Sequence, residues 1–178
     1  MLILIIFHVI NLYLICFTDS HLYKFILVLN FNFSESSITA NMYKMKGKVQ
    51  SICDKCVAPS CISPVICHNL DTSHKPMTDL YQAIDKNPKI KKSFIGSGIR
   101  HDMLVPEFNK NADPKELDDY TEEVLTNHVS GRLKVAPEHT SDPVLKLMRK
   151  PSFSYFHEFK KTFDKINLRK KLNLQLIP

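Results

Sequence analysis

The chain has 178 residues, with 24 Lys and Arg against 18 Asp and Glu for a formal charge of +6. That length can hold one domain with a real core, but it falls short of the about 250 residues typical of a complete α/β barrel. The basic excess is scattered except for Lys160, Lys161, Lys165, Arg169, Lys170 and Lys171. Such a group reads as a solvated face and argues against nucleic acid as a partner.

Residues 1–33 contain only two formal charges, Asp19 and Lys24, in a background of Ile, Leu, Phe, Tyr, Val and Asn. Three readings stay open: a mis-started or frameshifted stretch, as AT-rich DNA read out of frame would encode; a membrane or signal segment; or a buried helix and strand. Against the membrane reading, no Lys or Arg precedes MLILIIFHVINLYLICF, His8 and Asn11 interrupt it, and no small-residue cleavage site follows. The division expected is therefore an apolar segment at 1–37 and a domain at 38–178. A membrane is a partner only if 1–33 is a genuine part of the protein.

Four of the five cysteines, Cys53, Cys56, Cys61 and Cys67, follow one another with two, four and five residues between them. Without a convincing cleavable signal, this density suits a reducing compartment, the cytoplasm, and soft-metal chemistry rather than a disulfide framework. Pro59, Pro64 and Asp71 make the segment a loop. Thiolates on one loop can converge on an iron-sulfur cluster or a compact zinc site, with His68 or His74 as substitute ligands. Two blander readings stand beside this one. The thiols can be reduced and partly buried, packing as small hydrophobes, or CDKC can be a redox pair, although Val-Ala-Pro rather than a helix follows it.

Downstream, the pattern alternates. KPMTDLYQAI places Pro76 near a helix start, with Met77, Leu80, Tyr81 and Ile84 at helical spacing. SFIGSG reads as a short buried strand ending in a turn. DPKELDDYTEEVLTNHVSG predicts a helix capped by Asp113, apolar at Leu117, Tyr120, Val124 and Leu125, and terminated by Gly131. There follow a strand near Leu133, a helix capped from Asp142 and Pro143, a helix with Phe153, Phe156, Phe159, Phe163 and Ile166 on one side, and an alternating LNLQLI strand. Helices separated by short strands predict an α/β fold of βα units around a parallel sheet, with ligands at the carboxyl ends of the strands. Ser97, Arg100 and Asp102 follow one such end, and Glu138, His139 and Ser141 another. His128 and His157 are expected to be unremarkable residues on helix surfaces.

Read in order, TANMY (39–43), CVAPSCISPVICHNLDTSHKP (56–76), FIGSGIRHD (94–102) and HVSGRLKVAPEHTSDPVLKLMRKPSF (128–153) resemble successive landmarks of the YgiQ-like radical SAM family. The run SDPVLKLMRK also resembles a segment of radical SAM methylthiotransferases. The resemblance implies a fragment of a partial parallel (β/α) radical SAM barrel. In that family a 4Fe-4S cluster on three cysteines chelates S-adenosylmethionine and reduces it to a 5′-deoxyadenosyl radical. Within the matched part, Arg100 is the candidate for the methionine carboxylate and Glu138 for the ribose hydroxyls, since a guanidinium suits a carboxylate and an acceptor suits a diol; a loop salt bridge for Arg100 and an acidic residue at a helix N-terminus for Glu138 stand equally open.

The chain departs from that pattern in three ways. No cysteines stand in a CxxxCxxC arrangement, SESSI (34–38) replaces a glycine pair expected before TANMY, and the sequence stops after LIP. The expectation is a piece of a radical SAM enzyme, broken from a longer reading frame and inactive alone. The alternative is a small cysteine-rich metal-binding or interaction module.

Overall fold

The computed structural model describes the backbone of residues 11–19 and 22–30 and the whole of 41–96 and 98–178. SESSI, the first two residues of TANMY, and Ser97 lie outside the described residues. In chain order the elements are β1 (Asn11–Asp19), β2 (Leu22–Asn30), β3 (Lys46–Gly47), α1 (Gln50–Cys53), β4 (Leu70–Asp71), α2 (Lys75–Asp85), β5 (Ile90–Ile95), a 3-10 turn (His101–Leu104), α3 (Pro114–Asn127), β6 (Arg132–Lys134), α4 (Asp142–Leu147), α5 (Ser154–Lys170) and β7 (Gln175–Ile177).

The fold is mixed α/β, and its sheets are small. β1 and β2 form an antiparallel pair from Asn11↔Asn30 to Asp19↔Leu22, and β2 runs parallel to β5. β3 pairs with β4 antiparallel, β6 pairs with β7 parallel, and Ile99 makes a lone parallel bridge to Val135. Helices α4 and α5 lie between β6 and its parallel neighbour β7, the long crossover that such a pair requires. Among the described residues the strands do not close into a barrel, and no helix is long and apolar enough to cross a membrane.

The helices form where apolar spacing and caps coincide. In α2, Pro76 occupies the first turn and Met77 and Tyr81 are buried one above the other. In α3 the Asp113 side chain accepts the Lys115 N–H at 3.0 Å, and Leu117, Tyr120, Val124 and Leu125 face inward. Phe156, Phe159, Phe163 and Ile166 of α5 complete the same core with Leu133 and Val135. Each such side chain contributes about 1.5–3 kcal/mol on burial. The α2 and α3 helices are also tied by charge. The Glu116 carboxylate accepts from Ser73 Oγ at 2.8 Å and from the backbone N–H groups of His74 and Lys75. It thus sits where the α2 dipole favours an anion.

The helix expected from Asp142 does begin there, with Ser141 as its N-cap. Asp142 also accepts from the Phe153 N–H and Ser152 Oγ, both at 2.9 Å, at the entry to α5, which holds its carboxyl below the usual range. Two local expectations are corrected. In β5 only Ser93 is buried, with Ile90, Phe94 and Ile95 partly covered. His128 does not lie on a helix surface: its residue is 0% exposed. The reason is that the end of α3 packs onto β5, where the Ile95 N–H donates to the His128 carbonyl at 2.9 Å, while Tyr81 stacks on the imidazole at 4.2 Å. His157 is exposed, edge-on to Phe153 at 4.8 Å.

Candidate metal centre

The cysteine loop is assembled from two backbone turns. Cys53 ends α1, and the Cys56 N–H donates to the Cys53 carbonyl at 3.0 Å, while the Cys67 N–H closes onto the Cys61 carbonyl at 2.8 Å. Two sulfurs already accept protein hydrogen bonds. Asn69 Nδ2 donates to Cys53 Sγ at 3.2 Å and the Ala58 N–H to Cys56 Sγ at 3.4 Å.

Asparagine side chains hold the loop in place. The buried Asn69 amide spans the backbone of Val49, donating to its carbonyl and accepting its N–H, both at 3.0 Å. Asn111 Nδ2 donates to the carbonyls of Cys67 at 2.8 Å and Leu70 at 2.9 Å. Gly47 of β3 leaves room for Cys53: a Cβ there would lie 2.2 Å from Cys53 Sγ.

The four thiols share one electrostatic neighbourhood. Burial pushes the Cys61 thiol up, and the negative fields of Cys67, Cys56 and Cys53 push it further. Metal binding at Cys61 must therefore displace a proton, so it should weaken at low pH. The sulfurs do not, however, form a set with all donors within 4.8 Å; among the described residues Asp85, Glu123 and His128 form such a set. A cluster whose thiolates sit on different irons spaces them more widely than a single zinc does, and so asks for less contraction of this loop. Of the two substitute ligands, His68 is exposed, while His74 is buried against Tyr120 at 4.5 Å in the core, where burial lowers its pKa to about 4.

Arg100 and Glu138 both have intramolecular partners. The Arg100 guanidinium forks onto Asp102, and the two side chains are 13% and 3% exposed. The Arg100 backbone is clamped by Asn41, whose Oδ1 accepts its N–H at 2.8 Å and whose Nδ2 donates to its carbonyl at 2.9 Å. TANMY and GIRHD thus meet, although no sequence spacing links them. Glu138 stands at φ 67°, a left-handed conformation rare for a non-glycine residue, and accepts from Lys150 Nζ at 2.8 Å at the surface. His139 Nδ1 accepts the Ser141 N–H at 2.8 Å. Beside the cysteine loop lies a cleft of about 560 Å³, with Pro64, Val65 and Ile66 on one side and Lys146, Arg149 and Lys150 on the other.

Sequence reasoning passed over Gly47, Asn69, Asn111 and the Asp85, Glu123 and His128 set. An asparagine in a polar loop carries no distinguishing signal, and Asp85 lies far upstream of Glu123 and His128 in the sequence.

No family model matches the chain, and no solved structure matches it. Curated relatives do. A UPF0313 protein of Bacteroides thetaiotaomicron is 57% identical over 140 residues, which are 79% of this chain and 23% of that protein. One from Porphyromonas gingivalis is 57% identical over the same length and share of this chain, 22% of its own, and one from Pseudomonas aeruginosa is 39% identical, with 17% of its own length covered. The chain thus spans about a fifth of the length of these relatives. Across those 140 residues it is a homologue of the UPF0313 proteins, a link at the level of the family.

Proposed function

We propose that this chain is part of a radical SAM protein and contributes a thiolate metal site built on Cys53, Cys56, Cys61 and Cys67. The observation that carries the reading is the loop itself: two turns closed by backbone hydrogen bonds, two sulfurs already accepting N–H donors, and a third thiol, Cys61, in the field of the other three. The radical SAM assignment rests on the ordered landmarks from TANMY to KPSF, and the homology to UPF0313 proteins over 140 residues is compatible with it.

The residues present do not fit the S-adenosylmethionine cluster. That cluster takes three thiolates spaced CxxxCxxC, and none are so spaced here. The loop cysteines fit a separate metal, an iron-sulfur cluster better than a single zinc. Of the two nucleoside contacts, Glu138 is the easier to recruit, because an exposed ion pair such as that with Lys150 is worth only about 0–1 kcal/mol. Arg100 would have to leave Asp102 exposed to a low dielectric without its counter-charge, a larger cost.

The test is anaerobic purification followed by metal and sulfide analysis, then reconstitution with iron, sulfide and a strong reductant. Iron and sulfide stoichiometrically bound and lost in a Cys53→Ser, Cys56→Ser double variant, with no 5′-deoxyadenosine formed from S-adenosylmethionine, is the expected result. A metal content near zero sinks the metal site. Formation of 5′-deoxyadenosine above the no-protein control would show instead that the loop cysteines hold the catalytic cluster.

A further inference from the structure

A second group of ligands, on elements remote in sequence from the cysteine loop, is already at binding distance. His128 Nε2 lies 3.4 Å from Glu123 Oε1 and 3.7 Å from Asp85 Oδ2, and the three donor atoms are all within 4.8 Å of one another. Two bonds of about 2.1 Å to a tetrahedral ion hold their donors about 3.4 Å apart, so these separations nearly match an ion's coordination sphere.

One tautomer of His128 leaves a place for a cation. Its Nδ1 lies 3.1 Å from the Ser93 carbonyl and 2.8 Å from Ser93 Oγ. Two tautomers satisfy these contacts: either the Ser93 hydroxyl donates to Nδ1 and the N–H lies on Nε2, or Nδ1 donates to the Ser93 carbonyl and Ser93 Oγ donates onward to Asp85 Oδ1 at 3.2 Å. In both, Nε2 is fully buried, makes no hydrogen bond and faces two carboxylates. In the second it presents an unshared pair beside two anions, and a cation between the three relieves their repulsion. The same arrangement, in which a histidine donates its far N–H to a carbonyl and presents its near nitrogen inward, fixes metal-ligating imidazoles in general.

We infer that His128, Asp85 and Glu123 form a binding site for a divalent first-row transition ion of the Zn²⁺ type, with a fourth position open to water. The site is preorganised by the core. Tyr81 stacks on the imidazole, and the His128 backbone is fixed at both ends, its N–H to the Val124 carbonyl and its carbonyl from the Ile95 N–H, each at 2.9 Å. The carboxylates supply the entrance, since the side chains of Asp85 and Glu123 are 39% and 25% exposed. One imidazole and two carboxylates form a nitrogen and oxygen set, chemically distinct from the thiolate loop.

That distinction supplies the experiment. The full chain, stripped with chelator and kept reduced, is titrated with Co²⁺ alone. Cobalt on cysteine shows intense thiolate charge-transfer absorption, and cobalt on nitrogen and oxygen shows only weaker ligand-field bands. The expected result is a population with ligand-field bands alone, whose affinity falls at least tenfold in Glu123→Gln and in Asp85→Asn, while the charge-transfer population keeps its midpoint. Either variant suffices if the other folds poorly. The inference is overturned if every bound cobalt carries thiolate charge transfer, or if the ligand-field population titrates unchanged in both variants. It is also overturned if nitrogen-15 spectra recorded at neutral pH with Zn²⁺ present show both His128 ring nitrogens protonated, since a proton would then occupy the place assigned to the metal. Failure of the cysteine site would remove only the charge-transfer bands, so the two readings fail separately.

Discussion

The cysteine loop and the junction of α2, α3 and β5 solve the problem of gathering ligands in opposite ways. The loop packs four soft donors between Cys53 and Cys67 and holds them with asparagine side chains, but its sulfurs have yet to close on one point. The junction takes one donor each from the end of α2, the body of α3 and the residue after it, and core packing alone brings them within 4.8 Å. Density of ligands in sequence marks where metal chemistry is available. Readiness of geometry comes from tertiary packing.

The largest effect that can break this comparison is on stability. Leu117→Ala in α3 empties a position 1% exposed and should cost about 2–5 kcal/mol in urea unfolding of metal-free protein. Cys56→Ser, at an exposed position, should stay within about 0.5 kcal/mol under the same conditions. Equal losses would mean that the cysteine loop is itself part of the core.

A second test is acidification. Burial holds His74 neutral down to about pH 4 in the native state, while the unfolded chain protonates it near the ordinary value of 6.5. Between those values the unfolded state binds more protons, so stability is full above pH 6.5 and declines as the pH falls toward 4, by about 3 kcal/mol in total. His101, also lowered by burial, adds to the slope in the same direction. His74→Phe should flatten the profile without abolishing it, and an unchanged profile would show that His74 is not enclosed against Tyr120. Next in size, Glu116→Ala removes the acceptor shared by Ser73, His74 and Lys75 and should cost about 1–2 kcal/mol, read in the same unfolding experiment.

How far the sequence could be read follows from the same contrast. The α2, α3 and α5 helices were legible because Met77 and Tyr81, Leu117 and Val124, and Phe156 and Phe163 recur at helical spacing and one cap, Asp113, is local. The pairing of β2 with β5 was not, because parallel pairing leaves no mark in either strand. The cysteines announced themselves by residue type. His128 was misjudged as a surface residue since its burial depends on Tyr81, far upstream, and on the edge of β5. For Arg100 a ligand contact and a loop salt bridge were equally open in sequence, and the fold shows the salt bridge, with Asp102 two residues on as the partner.

An effect small on stability is the sharpest on function. Gly47→Ala would place a methyl group 2.2 Å from Cys53 Sγ and 3.2 Å from Asn69 Nδ2, while Cys53 Cβ stays at an ordinary 3.7 Å. The backbone need not move. The sulfur can rotate about its own Cα–Cβ bond, and the cost is the hydrogen bond from Asn69 together with some displacement of an amide that also bridges Val49. That is about 1 kcal/mol in the metal-free protein. A metal-ligating thiolate that has lost its rotamer and its N–H donor should bind about 10–100-fold more weakly, as is usual when the groups supporting a ligand are changed. Cobalt titration separates the outcomes: in Gly47→Ala the thiolate charge-transfer midpoint should move while the ligand-field population at His128 stays in place. If neither moves, Cys53 is a packing residue, and the metal reading of the loop must rest on Cys56, Cys61 and Cys67 alone.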